Sequence, residues 1–318
     1  MTRIDYDVLI AIGLFAAACW VSSCRPVVPP PDAGDATPVA TGGSYGTVPS
    51  VGGAQGTGGS QATGGSLATG GSVCRWAPSR SSRGGIRSPS VPLPRVVGGE
   101  NAPRGAWPYA ASVQASFGGR WYHYCGATLR TPTSLIGAAH CQYQLGDRVL
   151  LGTENLLAGG IEREVAGVKN HADWTDTTSG SDVALILLDA PVDIEPPPLV
   201  QPGAVLDQST AWVVGWGAMQ EGGDTTTLLQ QARVPIWSDE ACWWAYPGSI
   251  DSTMACLDTL GVGTCQGDSG GGGFVWGTGG WTHTFIVSWG AGCAAALPGV
   301  YTNLAAPEIA AWLEACSW

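Results

Sequence analysis

Short apolar runs recur along residues 96–318, and glycine, proline, asparagine and aspartate separate them. Runs rich in Val, Ile, Leu and Trp cover residues 134–139, 148–151, 182–188, 211–214 and 285–289. This pattern is typical of the strands of β-sandwiches and β-barrels. Near the chain end, Pro307 suits the first helical position, and an apolar face follows at Ile309, Ala310, Leu313 and Ala315. We therefore predict an all-β body that ends in one short helix.

A different pattern opens the chain. Residues 8–21 form an apolar run that suits the core of a signal peptide and is short for a membrane span. The run ends in Cys19 and in Val21-Ser22-Ser23-Cys24, which resembles the lipobox of bacterial lipoproteins. We predict a leader over residues 1–24 with lipid attached at Cys24, Cys19 being a poorer match. An ordinary secretory leader cleaved nearby is the alternative.

Residues 25–95 are predicted to be a disordered spacer and pro-segment. They are rich first in proline and then in Gly, Ser and Thr, and Thr-Gly-Gly-Ser occurs at positions 41, 57, 63 and 69. Too few apolar side chains are present to offset the entropy of ordering this segment. Behind a lipid-modified cysteine, such a tether would hold the body away from a membrane surface.

Charge and cysteine content narrow the class of protein. Residues 96–318 carry seven basic and 21 acidic groups, a net charge of −14, within a chain of net charge −11. A nucleic-acid-binding role is excluded because it requires a basic surface. Ten cysteines are more typical of an oxidising compartment than of a reduced cytosol. We therefore expect a protein of the cell envelope or the exterior.

Three motifs carry candidate chemistry. They are Ala138-Ala139-His140-Cys141, Asp182 at the start of an apolar strand, and Gly267-Asp268-Ser269-Gly270-Gly271. A serine hydroxyl is a poor nucleophile at neutral pH and needs an adjacent base. An imidazole suits that role, since its ordinary pKa of ~6.5 lies near neutrality. Together the motifs indicate nucleophilic catalysis by a serine.

These motifs, and their order His, Asp, Ser, resemble those of chymotrypsin/trypsin-type serine proteases. Further similar segments are Arg95-Val96-Val97-Gly98-Gly99, Trp212–Gly217, Ser288-Trp289-Gly290 and Pro298-Gly299-Val300-Tyr301. The resemblance covers residues 96–318 and none of residues 1–94. It implies two six-stranded antiparallel β-barrels with the active site in the cleft between them, and a monomeric serine endopeptidase acting on proteins or peptides.

The resemblance also implies a role for each matching residue. Ser269 would be the nucleophile, His140 the base and then the acid, and Asp182 the group that orients the imidazole. The backbone N–H groups of Gly267 and Ser269 would form the oxyanion hole. Ser288, Trp289 and Gly290 would pair with the substrate backbone like an added strand. A catalytically silent binding module on the same scaffold is the competing hypothesis.

Activation and specificity are further expectations from the family. Cleavage after Arg95 would free the α-amino group of Val96, which would pair with Asp268 and order the site. The floor of the specificity pocket would be Gly263 beside Thr264, with Gly290 and Gly299 as walls. An uncharged, open pocket predicts a large apolar residue at P1, the substrate position before the cleaved bond, and hence a separate activating protease for Arg95.

One acidic residue leaves a second specificity open. Asp258 lies in the loop that enters the pocket region, and the short spacing between Cys256 and Cys265 could reposition it. In that case the preference would be trypsin-like, for Arg or Lys at P1.

Family positions assign the disulfides Cys125–Cys141, Cys242–Cys256 and Cys265–Cys293. Cys74 and Cys316 remain, and we predict that they pair, with free or intermolecular thiols as the alternative. No cofactor is expected, and no metal is expected because no His/Cys cluster has metal-ligand spacing. The loop after Gly152 binds calcium in some relatives, but Thr153 stands where a carboxylate ligand would be, so no calcium is predicted there. His123 is expected to be structural; in the family this position can hold the inactive precursor together.

Overall fold

The computed structural model describes residues 75–76, 97–206, 209–277 and 279–316. The predicted leader, most of the spacer, the activation residues Arg95 and Val96, and the cysteines at 19, 24 and 74 lie outside these ranges. Fourteen strands, two α-helices and one short 3-10 helix, Ala139–Cys141, make up the described part. The expected all-β architecture with a short C-terminal helix is confirmed.

The first sheet closes on itself. Its strands are β1 (Arg75–Trp76), β3 (Ala110–Phe117), β4 (Arg120–Thr131), β5 (Ser134–Gly137), β6 (Arg148–Leu151), β7 (Ile161–Asn170) and β8 (Ala184–Leu188). The order is β1-β7-β6-β3-β4-β5-β8, and β7 also pairs with β8, so β3 to β8 form a six-stranded barrel. The short strand β1 lies at the rim, where Arg75 pairs with Asn170 of β7.

The second sheet is also antiparallel. Its strands are β2 (Glu100–Asn101), β9 (Thr210–Gly215), β10 (Gln230–Pro235), β11 (Met254–Leu257), β12 (Gly272–Gly277), β13 (Gly280–Trp289) and β14 (Gly299–Asn303). The order is β11-β14-β13-β12-β9-β10-β2. A single bridge between Ile236 and Leu257 brings the chain after β10 back to β11. The two sheets share a core in which Trp107 stacks on Phe274 at 5.0 Å between ring centroids.

The helices differ from the prediction in detail. Helix α2 (Pro307–Ala315) begins at Pro307 as predicted, but its buried face is Ile309, Trp312 and Leu313. Ala315 is exposed because it lies off that stripe. A second helix, α1 (Asp239–Ala245), was not predicted. Its signal was the N-cap Ser238, whose side chain accepts the N–H of Ala241, followed by two acidic residues.

Candidate active site

His140 and Asp182 come from neighbouring parts of the barrel. His140 lies in the 3-10 helix after β5, and Asp182 lies just before β8, which pairs with β5. The Nδ1 of His140 is 2.6 Å from Oδ2 of Asp182, and the backbone N–H of His140 donates to Oδ1 at 2.9 Å. The Asp182 side chain is 3% exposed, whereas that of His140 is 17% exposed. The carboxylate therefore fixes an imidazole that remains partly exposed to solvent.

The second sheet supports the same carboxylate. Ser288, in β13, donates its hydroxyl to Oδ2 of Asp182 at 2.5 Å. Thr302, in β14, donates to the backbone carbonyl of Asp182 at 2.8 Å. Asp182 thus accepts three hydrogen bonds through its carboxylate, two from His140 and one from Ser288. The sequence motifs assign Ser288 to substrate binding and do not identify Thr302.

Ser269 occupies the tight loop between Cys265 and β12. Its carbonyl accepts the N–H of Gly126 at 2.7 Å, which joins the loop to the barrel beside the Cys125–Cys141 disulfide. Its side chain lines a cavity together with Ser288. Within the described residues the Ser269 hydroxyl makes no hydrogen bond to His140. In sites without substrate, the contact between nucleophile and base is often long and tightens on binding.

Two backbone donors beside Ser269 have no partner in the described part of the chain. They are the N–H groups of Gly267 and Ser269, the residues expected to form the oxyanion hole. Gly267 has a φ of +94°, a conformation that side-chain-bearing residues rarely adopt. Two convergent unpaired donors next to a serine are suited to binding the oxygen of a tetrahedral intermediate.

His123 holds this loop in place, a contact that sequence reasoning did not anticipate. Its Nε2 lies 2.9 Å from the Gly267 carbonyl and its Nδ1 lies 2.8 Å from the hydroxyl of Ser112. Burial lowers the pKa of His123 to about 4, so the ring is neutral at pH 7. Nε2 therefore donates to the carbonyl, and Nδ1 accepts from Ser112. His123 makes no contact with Asp268 in this structure.

Asp268 is buried without a cation among the described residues. Its Oδ1 accepts the N–H of Gly217 at 2.8 Å, and its Oδ2 accepts the N–H of Cys265 at 2.9 Å. The pKa of Asp268 is raised to about 7, chiefly by burial and also by the negative charge of Asp258, against the lowering effect of the two N–H donors. A buried carboxylate without a cation is costly to keep ionised.

A cavity of about 270 Å³ opens beside Ser269. The predicted pocket residues Thr264, Ser288, Trp289, Gly290 and Gly299 all line it. Gly263 does not, because it is buried behind Asp258: a Cβ on Gly263 would lie 2.5 Å from Cγ of Asp258. The structure thereby corrects the expectation of an uncharged floor at Gly263. The side chain of Asp258 occupies that space and lines the cavity.

Three disulfides join the expected cysteines, Cys125–Cys141, Cys242–Cys256 and Cys265–Cys293. Cys316 is also disulfide-bonded. The donor atoms of Cys125, His140 and Cys141 cluster within 4.8 Å, as metal ligands can. Both sulfurs are tied up in one disulfide, so they cannot bind a metal as thiolates. At the predicted calcium-free loop, the Thr153 hydroxyl hydrogen-bonds to the carbonyls of Asn155 and Ala158.

The two-sheet fold, with an Asp–His pair facing a serine on a tight loop, has the layout of a serine hydrolase. Comparison with known proteins specifies the class further. The sequence model of the family described as "Trypsin" matches residues 96–313. The chain belongs to the trypsin family of serine proteases.

Individual relatives agree with the family assignment. The chain is similar to Serine protease 1 of Rattus norvegicus, at 34% identity over 234 residues, which cover 69% of this chain and 89% of the rat protein. It is 36% identical over 251 residues to the suppressor of tumorigenicity 14 protein homolog of Bos taurus, and 36% identical over 233 residues to transmembrane protease serine 9 of Rattus norvegicus. These alignments cover 70% and 69% of this chain but only 28% and 22% of those relatives.

Proposed function

We propose that the chain is a serine endopeptidase that acts through Ser269, His140 and Asp182. The observation that carries the proposal is the hydrogen-bonded pair of His140 and Asp182, joined by Ser288 to the cavity that Ser269 lines, where two backbone N–H donors have no partner among the described residues. Family membership supports the same reaction.

The mechanism follows from these positions. Ser269 attacks the carbonyl carbon of the scissile bond while Nε2 of His140 takes the hydroxyl proton. The N–H groups of Gly267 and Ser269 bind the oxyanion as its charge develops. Asp182 holds the proton on Nδ1 and stabilises the imidazolium. His140 then donates its proton to the leaving amine, and a water molecule releases the acyl group from Ser269 by the same sequence of proton transfers.

The chain is proposed to be made as a precursor that is cleaved after Arg95. Val97, two residues after Arg95 in the sequence, bridges to Gly263 and accepts its N–H at 3.1 Å. That contact lies on the loop that precedes the buried, cation-free Asp268. A new α-amino group at Val96 would supply the missing positive charge.

A disulfide from Cys74 to Cys316 would keep the pro-segment attached after cleavage. Cys316 is disulfide-bonded, and the other six described cysteines pair among themselves. Strand β1 begins at the residue after Cys74 and pairs with Asn170 and Lys169 of β7. His171, which follows Asn170 in the sequence, packs on Trp312 of α2 at 5.1 Å between ring centroids. Strand β1 thus approaches the end of the helix that leads to Cys316.

Location outside the cytoplasm is part of the proposal. Disulfides such as the three described here form and persist in oxidising compartments. Among the described residues, no helix is long and apolar enough to cross a membrane. Attachment through lipid on Cys24, with the spacer as tether, and a monomeric body acting on protein or peptide substrates complete this proposal.

A covalent label tests the function. The full chain, before and after cleavage following Arg95, is treated with a fluorophosphonate, and the labelled peptide is identified by mass spectrometry. Labelling should occur on Ser269, should increase after cleavage and should be lost in Ser269→Ala and His140→Ala. A cleaved, folded chain that takes up no label at Ser269 would instead support the silent binding module.

A further inference from the structure

The carboxylate that lines the cavity comes from Asp258, which is not at the family's specificity position. The family's specificity position, six residues before Ser269, is Gly263, which has no side chain to contribute. The Asp258 side chain fills the space in front of it and lies against Gly299 on the opposite wall. A side chain on either glycine would collide with this carboxylate. The two glycines therefore make room for a carboxylate that comes from elsewhere in the chain.

The backbone at Asp258 is held in a costly conformation. Its φ of +83° lies in the left-handed region, which non-glycine residues adopt rarely. The Asp258 carbonyl accepts the indole N–H of Trp237 at 2.9 Å, which helps to fix this conformation. Backbone strain of this kind persists where the surroundings enforce it, and it concentrates at functional sites.

The carboxylate of Asp258 has one short hydrogen bond and several weaker contacts. Oδ1 accepts a hydrogen bond of 2.7 Å from the hydroxyl of Tyr301. Oδ2 has contacts of 3.4 Å with both the N–H and the hydroxyl of Thr264, near the limit for a hydrogen bond. The backbone N–H of Gly299 is a further donor to this carboxylate. All of these donors are neutral groups, and none supplies a positive charge.

The carboxylate also lacks a counter-charge. Asp258 is 2% exposed, and no lysine, arginine or histidine in the described part of the chain forms an ion pair with it. Burial raises its pKa to about 6, which still leaves it ionised at neutral pH. Keeping a buried carboxylate unpaired is costly unless a cation arrives to pair with it.

A second acidic residue, Glu221, also lines the cavity. Its side chain is held by two hydrogen bonds. Oε2 of Glu221 accepts the N–H of Cys293 at 2.7 Å, and Oε1 accepts an N–H of the Gln266 side-chain amide at 2.8 Å. Glu221 and Asp258 are the two ionisable residues among the described residues that line the cavity, apart from the disulfide cysteines. Both of these ionisable groups are acidic, so the cavity offers no positive charge to a ligand.

We propose that Asp258 is the specificity-determining residue of this enzyme and selects a long basic side chain, Arg or Lys, at P1. The proposal rests on the proposed endopeptidase function and replaces the apolar preference that Gly263 suggested. The cation would pair with Oδ2 of Asp258 at the base of the cavity. The same pocket would accept Arg95, so the enzyme itself would cleave its own precursor, and no separate activating protease would be needed.

Ligand binding tests the pocket without catalysis. The full chain carrying Ser269→Ala is cleaved after Arg95 with immobilised trypsin, and its binding of benzamidine and of the neutral benzamide is measured by calorimetry. Benzamidine should bind, and Asp258→Asn should weaken that binding by about 10²-fold or more, the loss typical of an unpaired buried charge. Asparagine tolerates the left-handed backbone, so the variant is matched in shape.

An exposed carboxylate provides the control. Asp193→Asn removes the same charge at an exposed position that does not line the cavity, and it should leave benzamidine affinity unchanged. Benzamide binding as tightly as benzamidine, or Asp258→Asn binding benzamidine within about threefold of the parent, would overturn the proposal.

Substrate kinetics test the preference in the active enzyme. Peptides that differ only at P1, with Arg, its neutral isostere citrulline, or Phe, are compared by kcat/KM. The parent should favour Arg over citrulline by about 10²-fold or more, and Asp258→Asn should bring that ratio close to one. If the variant does not fold, the Arg-to-citrulline ratio of the parent decides.

The outcomes separate the two proposals. Preference for Phe over Arg by an enzyme whose Ser269 takes up fluorophosphonate would overturn the role of Asp258 and leave the protease function intact. Selective benzamidine binding by a chain that takes up no label would overturn the protease function and leave the pocket assignment intact.

Discussion

The buried carboxylate of Asp268 should make the uncleaved chain less stable as pH rises, and replacing it with asparagine should remove that dependence. Asp268 is 1% exposed, and its partners in the described residues are two N–H groups. Burial raises its pKa from 3.8 to about 7. Between these values the unfolded chain has lost the proton and the folded chain still holds it.

The direction and size of this change in unfolding free energy follow from the linkage between proton binding and folding. Because Asp268 binds a proton in the folded state that it loses in the unfolded state in this window, its contribution to stability falls as pH rises from about 4 to about 7 and is then constant. A shift of about three pH units at ~1.4 kcal/mol each gives about 4 kcal/mol of lost stability. Pairing with the Val96 ammonium after cleavage would restore this stability.

Urea unfolding measures the effect. The intact chain carrying Ser269→Ala, which prevents self-cleavage, is compared with the same chain carrying Asp268→Asn, and the fluorescence of its 15 tryptophans is followed at pH 4 and pH 8. The stability of the variant relative to the parent should increase by about 4 kcal/mol between the two pH values. Asp193→Asn, an exposed control, should show no such change.

Two results would refute the reasoning. One is an equal difference in stability between parent and variant at both pH values, which would mean that Asp268 is not a buried, unpaired acid in the intact chain. The other is an unfolding free energy at pH 8 that does not increase when the parent is cleaved after Arg95.

Three further substitutions test the site and its framework. Asp182→Asn should lower kcat by about 10⁴-fold in peptide hydrolysis, since the imidazole loses its orienting acceptor, and a loss below about tenfold would argue against its role. Gly267→Ala should lower kcat by about 10²- to 10³-fold, because the new Cβ would lie 2.8 Å from the Thr225 methyl and displace the oxyanion donor; unchanged kcat would contradict this. Cys316→Ser should lower the unfolding free energy by about 2–4 kcal/mol, and Cys74→Ser should match it with no further loss in the double variant, whereas additive losses would rule out their pairing.

Local sequence patterns were sufficient to locate several strands and the C-terminal helix of this protein. The apolar run at 148–151 is strand β6, and the runs at 182–188, 211–214 and 285–289 overlap β8, β9 and β13. Pro307 begins helix α2 because its fixed φ and missing N–H suit that position. Each of these signals depends on residues close together in the chain, so the sequence alone is sufficient to find them.

The motifs around His140, Asp182 and Ser269 were also visible in the sequence, because each sits in a distinctive local setting. The contacts that complete the site were not. His123 reaches the Gly267 carbonyl across 144 positions of sequence, and Thr302 reaches Asp182 across 120. No local pattern distinguishes such residues from ordinary members of a strand.

Pocket chemistry depended most on the tertiary structure. Gly263 alone indicated an uncharged floor, and only the folded loop shows Asp258 turned into that space by a left-handed backbone. The charge at the base of a cavity is set by which side chain fills it. That depends on the empty space left by two glycines 36 positions apart, Gly263 and Gly299, and on the path of the chain between the Cys242–Cys256 and Cys265–Cys293 bridges.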